Sequence, residues 1–366
     1  MIPVVQTARR AAFPVLLHDG SGLIYSANPE TFELGLWWRS MDGTRTQRLT
    51  TGLGEYAEPS ISRSPDRLVA SFVNWNQSLV KFEIDGGTEP QPLFGGAFGD
   101  LDASASPDGS RVVFSSTRTG GRTLWMFTTS DNRVRPLTSG AVIDERPAFS
   151  SDGTRVAFVS DRGGRRGIWV MNSDGGAAKQ VAAVDVLDMV SWSPDGTRLV
   201  YAANAGTVPG LFLVTVADGA TRQLLTPGPA SAPSWCGTRD VIVYIEARAA
   251  APNQANSSKV AAITSAGEAV ALDTADLNVL NGFVSCSADG RKLAAFVDPG
   301  AAPSAVWISD LDPPRPFRRL SEAPPHVRFR GASWLGGSTS LVAGRTMRSA
   351  DVVLFERLNS PAPARP

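Results

Sequence analysis

Histidine and cysteine are almost missing from the 366 residues: each occurs only twice. Two cysteines cannot build a disulfide framework, and Cys236 and Cys286 do not stand at metal-ligand spacing. In the repeat alignment given below, Cys236 occupies the place of Ser150 and Cys286 that of Phe149, so on alternating strands they would face opposite ways, and both thiols are expected to be free. The only imidazoles are His18, just before a turn, and His326, in the loop SEAPPHVRF; neither has an evident serine partner, and no Gly-x-Ser-x-Gly elbow occurs. No catalytic residue, metal or cofactor is therefore expected.

Also missing are a charge excess and a long apolar run. Lys plus Arg is 35 and Asp plus Glu is 35, which removes the overall field that would draw the chain to nucleic acid or an anionic membrane. Nothing approaches the roughly 20 apolar residues of a membrane span. The opening MIPVVQTARRAAFPVLL carries Arg9 and Arg10, and Pro14 breaks its longest apolar stretch, so it does not read as a signal peptide. The chain is expected to be cytoplasmic as it stands, or the extracytoplasmic part of a longer anchored protein.

What is there is repetition. SPDGSRVVFSSTRTGGRTLWMF at 106 to 127 returns as SSDGTRVAFVSDRGGRRGIWVMN at 150 to 172 and SPDGTRLVYAANAGTVPGLFLV at 193 to 214. Alignment on the turn (Asp19, Asp66, Asp108, Asp152, Asp195, a degenerate Thr238, Asp289, a degenerate Gly337) gives eight units spaced 42 to 51 residues apart. That period suits a propeller blade and is longer than helical repeats of about 33 or 34. Each unit parses into a strand ending at the turn, an apolar strand after it, a third carrying an aromatic, and a short polar fourth. The near-continuous apolar second strand fits a sheet covered on both faces by its neighbours.

The fold expected is all-β: one propeller of four-stranded antiparallel blades over residues 1–358, with units near 11–50, 55–94, 100–138, 143–182, 186–226, 230–273, 279–321 and 328–358. Eight blades are expected, seven being the alternative. The last unit lacks a fourth strand, and IPVVQT, residues 2–7, is assigned to complete it and close the ring. Residues 359–366, Pro- and Ala-rich, are expected to be a disordered tail.

In the turn Ser-Pro-Asp-Gly, proline presets φ, the carboxylate can bond nearby N–H groups and glycine accepts a positive φ, so these aspartates are read as structural. RGGRRG at 162 to 167 and GGAFG at 95 to 99 lack the Gly-Lys-Ser/Thr ending of a phosphate loop and read as turns. Trp37, Trp125, Trp169 and Trp307 share one place in strand three, and Trp192, Trp235 and Trp334 share one at the end of strand one. Both rows are read as packing between blades.

The unit at 147 to 176, PAFSSDGTRVAFVSDRGGRRGIWVMNSDGG, resembles the TolB-like, WD-repeat-like β-propeller repeat of bacterial proteins. The likeness runs along essentially the whole chain and is strongest in units three to five. It implies a rigid ring that binds partners or ligands and transfers no catalytic residue. The loops leading into the innermost strands carry Glu58, Asp102, Asp144, Glu145 and Asp188, then Arg328 and Arg330, a candidate channel-mouth surface for a protein partner or small ligand. The function expected is a non-catalytic, monomeric binding scaffold. A sensor propeller detached from a receptor kinase or winged-helix regulator, and a channel-based glycan or peptide hydrolase or lyase, are the alternatives.

Overall fold

The computed structural model describes residues 11–27, 34–50, 55–62, 67–85, 89–95, 98–248, 257–272, 281–298 and 303–356. Among them no helix is long and apolar enough to cross a membrane. The chain divides into two compact units, residues 1–76 with 347–366, and Gln77–Thr346.

The first unit holds the sheet β1 (Ala11–Leu16), β2 (Gly22–Ala27), β3 (Gly35–Ser40) and β4 (Thr46–Arg48), joined in chain order. β5 (Glu55–Ile61) pairs with β6 (Arg67–Glu83), a 17-residue strand of which only the part up to Asn76 belongs here. Ile24, Leu36 and Trp38 from the first sheet pack against Leu68 and Ala70 of β6, with Tyr56 and Phe355 beside them. This apolar seam between two sheets is the unit's own core.

The second unit is built of repeated four-stranded sheets, each antiparallel and ordered as in the chain. They are β8 (Leu101–Ala105) to β9 (Arg111–Ser116), β10 (Thr123–Thr128) and β11 (Arg133–Pro136); β12 (Asp144–Phe149) to β13 (Arg155–Ser160), β14 (Gly167–Asn172) and β15 (Lys179–Ala182); and β16 (Ser191–Trp192) to β17 (Arg198–Ala205), β18 (Val208–Thr215) and β19 (Thr221–Leu224). Two more follow: β20 (Ala230–Trp235) to β21 (Ile242–Arg248), β22 (Ser257–Ile263) and β23 (Ala269–Val270); and β24 (Asn281–Cys286) to β25 (Lys292–Asp298), β26 (Ala305–Asp310) and β27 (Arg318–Glu322). The sixth combines both ends of the unit, with β28 (Val327–Leu335), the part of β29 (Ser340–Glu356) up to Thr346, the later half of β6, and β7 (Gln91–Pro92).

The first strand of every sheet is innermost, and these strands touch in a cycle: β8, β12, β16, β20, β24, β28 and back to β8. That cycle closes a six-bladed propeller. β9 and β13 are buried at every position after the first, as sheets stacked face to face require. Phe114, Phe158, Tyr201 and Phe296 fill the spaces between blades, each 2 % exposed or less.

The propeller architecture is as the repeat implied, but the count of eight is corrected to six among the described residues, and one unit becomes two. Among the described residues, β6 and β7 stand beside β29 in the last blade. Residues 2–7 and 359–366 lie outside the described residues. The physical reason is read in β6, RLVASFVNWNQSLVKFE, and in the equally long β29: neither carries a turn where true blades have TRTGGR, DRGGRR or NAGTVPG. Without that turn, the strand runs on from one unit into the other instead of folding back into a blade.

Candidate functional site: the propeller channel

The inner strands enclose a cavity of about 430 Å³ lined by all six blades. Its wall is set by one recurring position, two residues before the first residue of the turn that follows the inner strand. Serine stands there in DASAS, VSWS, APSW, FVSCS and GASW as Ser104, Ser191, Ser234, Ser285 and Ser333; the second blade has Ala148. Four of these hydroxyls stitch neighbouring blades together by accepting a backbone N–H. Ser104 Oγ accepts from Phe149 (3.0 Å), Ser191 from Trp235 (2.9 Å), Ser234 from Cys286 (3.1 Å) and Ser333 from Ala105 (2.9 Å). None of the four hydroxyls has an acceptor among the described residues, so each retains a proton to donate into the channel.

The indoles at the strand ends are not exposed platforms. Trp192, Trp235 and Trp334 are buried to 6 %, 5 % and 6 % exposure, and the indole N–H groups of Trp192 and Trp334 donate to the carbonyls of Ala148 and Ser285 (2.9 Å each). The reading of this row as packing is what the structure shows.

One end of the channel carries the Asp-Gly turns, and their chemistry is closed. Ser106, Ser150 and Ser193 donate to Asp108, Asp152 and Asp195 at 2.5, 2.5 and 2.6 Å, while the N–H groups of Ser110, Thr154 and Thr197 donate to the same carboxylates at 3.0 Å. The serine hydroxyl, acting first, and the backbone N–H hold each of the three carboxyls down at about 2. Glycines at Gly109, Gly153 and Gly196 supply the positive φ (73°, 69° and 66°). These aspartates are turn ligands.

The residue that follows the turn acts across the blade boundary. The Arg111 guanidinium lies 5.2 Å from the Phe149 ring centre and donates to the Gly153 carbonyl (3.0 Å); Arg155 lies 4.7 Å from Trp192 and donates to Gly196 (2.8 Å). Arg198 lies 5.3 Å from the Trp235 ring. Each arginine thus clasps the aromatic of the next blade.

At the boundary between β20 and β24 the clasp is absent, and the expectation of free thiols is overturned: Cys236 and Cys286 form a disulfide, with Cα atoms 4.9 Å apart. Strand alternation failed as an argument because Cys236 lies one residue beyond β20, in the turn, and because the partners sit on different blades. The contact is lateral, between stacked sheets, where facing rule within one strand does not apply.

None of the seven residues expected at the channel mouth lines the cavity. Glu58 lies on β5, in the first unit, and accepts from Ser71 Oγ (3.2 Å). Asp102 accepts from Ser115 Oγ (3.0 Å). Asp144 is fully buried against Arg162 (2.5 Å), as Asp100 is against Arg118 (2.9 Å), a structural pair repeated in consecutive blades. Glu145 pairs with Arg166 and faces Arg146 (3.7 Å). Asp188 accepts the Ala232 N–H (3.2 Å); burial pushes its carboxyl up, and Arg146 opposes that. Arg328 and the exposed Arg330 lie on β28. Asp102, Glu145, Asp188, Arg328 and Arg330 therefore share the end of the inner strands opposite the turns. His18 Nε2 lies 3.1 Å from the Ser62 carbonyl, and His326 is exposed in the loop before β28. Among the described residues no cluster of His, Cys, Asp or Glu could hold a metal ion.

What reading the sequence missed is the serine belt, although the signal was present as a serine two residues before the first turn residue in five of the six blades. The fold and its channel define a β-propeller with a lined axial cavity. The profile of the TolB beta propeller domain matches residues 96–288, more than half of the chain, and the chain belongs to that family. Among solved structures it is similar to a putative TolB from Agrobacterium tumefaciens (16 % identity over 75 % of this chain and 99 % of that one, TM-score 0.58). It is also similar to TolB from Acinetobacter baumannii (13 %, 91 % and 82 %, TM-score 0.52). At such identities the likeness concerns the fold. Among curated proteins, none matches the sequence.

Proposed function

We propose that the Gln77–Thr346 propeller is a non-catalytic binding module that takes a segment of a partner polypeptide into its channel. The observation that carries this reading is the belt of Ser104, Ser191, Ser234 and Ser333: four hydroxyls already anchored by backbone N–H groups, with donor capacity left over, in a cavity of about 430 Å³. Fixed donors of this kind suit the carbonyls of an extended chain and need no reorganisation on binding. Among the described residues the one acidic side chain lining the cavity, Asp152, is already engaged by Ser150 and Thr154, which argues against general acid or base chemistry. Asp102, Glu145, Asp188, Arg328 and Arg330 would set the electrostatics at the opposite end and bias the approach of the partner.

A photo-reactive amino acid placed at Ser333, with one at the exposed Leu225 as control, tests the reading in cells. Adducts to a polypeptide from position 333 alone, abolished by Ser104→Trp in the same ring, are expected. Equal adducts from both positions, or none from 333, would contradict it.

A further inference from the structure

Three boundaries of the ring are clasped by arginine on the next blade's aromatic, and one is closed by a covalent bond. The two devices occupy the same places. Val241 stands where Arg111, Arg155 and Arg198 stand; Cys286 stands where Phe149, Trp192 and Trp235 stand; Cys236 stands where Ser106, Ser150 and Ser193 stand. Three changes thus coincide at the boundary that carries the covalent bond. Val241 cannot clasp, Cys286 is too small to be clasped, and Cys236 cannot replace the hydroxyl that ties a turn aspartate, which is Thr238 here.

We propose that the Cys236–Cys286 disulfide is a redox-set staple that replaces the arginine clasp, so that the wall of the channel between β20 and β24 is locked when the pair is oxidised and loosened when it is reduced. Cys286 lines the cavity, whereas Cys236 is 1 % exposed. A dithiol reductant therefore attacks from the channel side: its thiolate forms a mixed disulfide with Cys286 Sγ, and Cys236 Sγ leaves as a thiolate and takes a proton. The reductant's second thiol then resolves the mixed disulfide, leaving Cys286 as a thiol and the reductant oxidised to its own disulfide. After reduction, the Cys286 N–H to Ser234 bond and the apolar contacts of Ala232, Val243, Val284 and Leu293 remain. The boundary is then held by packing, that hydrogen bond and the solvent-exposed Arg239–Asp312 ion pair (3.1 Å).

The test uses the full chain and reads the boundary itself, so its outcome is independent of whether the channel takes a polypeptide. Alkylation under denaturing, non-reducing conditions is expected to modify neither cysteine, and to modify both after treatment with dithiothreitol. Reduction is expected to lower Tm by about 5 °C or more, in line with loss of a native cross-link, and to raise amide exchange in β20 and β24 ahead of β8 and β12. The variant C236S/C286S should match the reduced protein. C236S/V241R/C286W, which rebuilds the clasp, should regain at least half of the lost Tm and ignore dithiothreitol. Alkylation of both thiols without reductant, a Tm unchanged by reduction, or accelerated exchange spread evenly around the ring would overturn the proposal. Should the rebuilt clasp fail to fold, the comparison of oxidised with reduced wild-type protein still decides it.

Discussion

Two boundaries of the propeller solve the same problem with different chemistry. Between β12 and β16, Arg155 spreads over Trp192 and bonds the Gly196 carbonyl; between β20 and β24, Cys236 and Cys286 are joined by a bond. A partly desolvated cation over an indole contributes roughly 0.5–2 kcal/mol, and a hydrogen bond from a charged donor about 1.5–3 kcal/mol. A disulfide typically contributes about 2–4 kcal/mol. The two devices are of similar strength. They differ in what undoes them: salt and truncation for the clasp, a reductant for the staple.

The sharpest way to break the comparison is to remove what is clasped. Trp192→Ala deletes a side chain only 6 % exposed and shared between two blades, and is expected to cost about 3–5 kcal/mol, read as a fall in the denaturant midpoint. A cost below 1 kcal/mol would show that the blades do not meet there. Arg155→Ala leaves the ring in place and removes only its cover, so about 1–3 kcal/mol is expected, with Arg155→Lys recovering less than half because an ammonium cannot both stack and reach Gly196. Equal stability of the lysine variant and wild type would contradict the clasp.

Acid tests the turns beneath the clasps. Asp108, Asp152 and Asp195 are held at about 2, below the ordinary 3.8, so their contribution is complete above about pH 4 and is lost as pH falls toward 2. Because the three carboxylates are exposed, solvent screening leaves each on the order of 1 kcal/mol or less. The variant D108N/D152N/D195N should therefore show a flatter Tm between pH 4 and 2 than wild type; parallel curves would remove these turns from the acid response. The smallest effect is expected at Asp188, whose carboxyl is pushed up by burial and therefore favours folding less once ionised. Asp188→Asn keeps an acceptor for the Ala232 N–H and should leave stability at pH 7 unchanged or slightly raised, measured by the same denaturant midpoint. A loss of more than about 1 kcal/mol would mean that the charge itself is needed.

Much of this architecture was legible in the sequence. The 42- to 51-residue period, the Asp-Gly turns and the apolar second strands pointed to a propeller, and the tryptophan rows to packing between its blades. The count was not legible from the period, because unit spacing says how often a turn recurs and not whether a strand folds back after it. RLVASFVNWNQSLVKFE contained the answer in lacking Gly, Pro or Asp at its centre. The disulfide was hidden for a different reason: strand alternation governs neighbours within a sheet, while Cys236 and Cys286 meet across two stacked sheets. The acidic arc was legible as charge but not as surface. Asp144 and Glu145 lie among arginines 18 and 21 residues later in the chain, and only the folded blade brings Arg162 and Arg166 to them.

The central structural claim is that six blades, not eight, close the ring. In that ring β8 and β28 are direct neighbours, the Ala105 N–H reaching Ser333 Oγ at 2.9 Å, whereas an eight-bladed ring would place the first two units of the chain between them. The variant Ser104→Cys/Ser333→Cys, with the native pair left oxidised, should be bridged within one molecule by a short bismaleimide, shown by an intact mass carrying a single linker. Two linkers per molecule, each thiol reacting alone although both are reachable, would contradict the six-bladed ring.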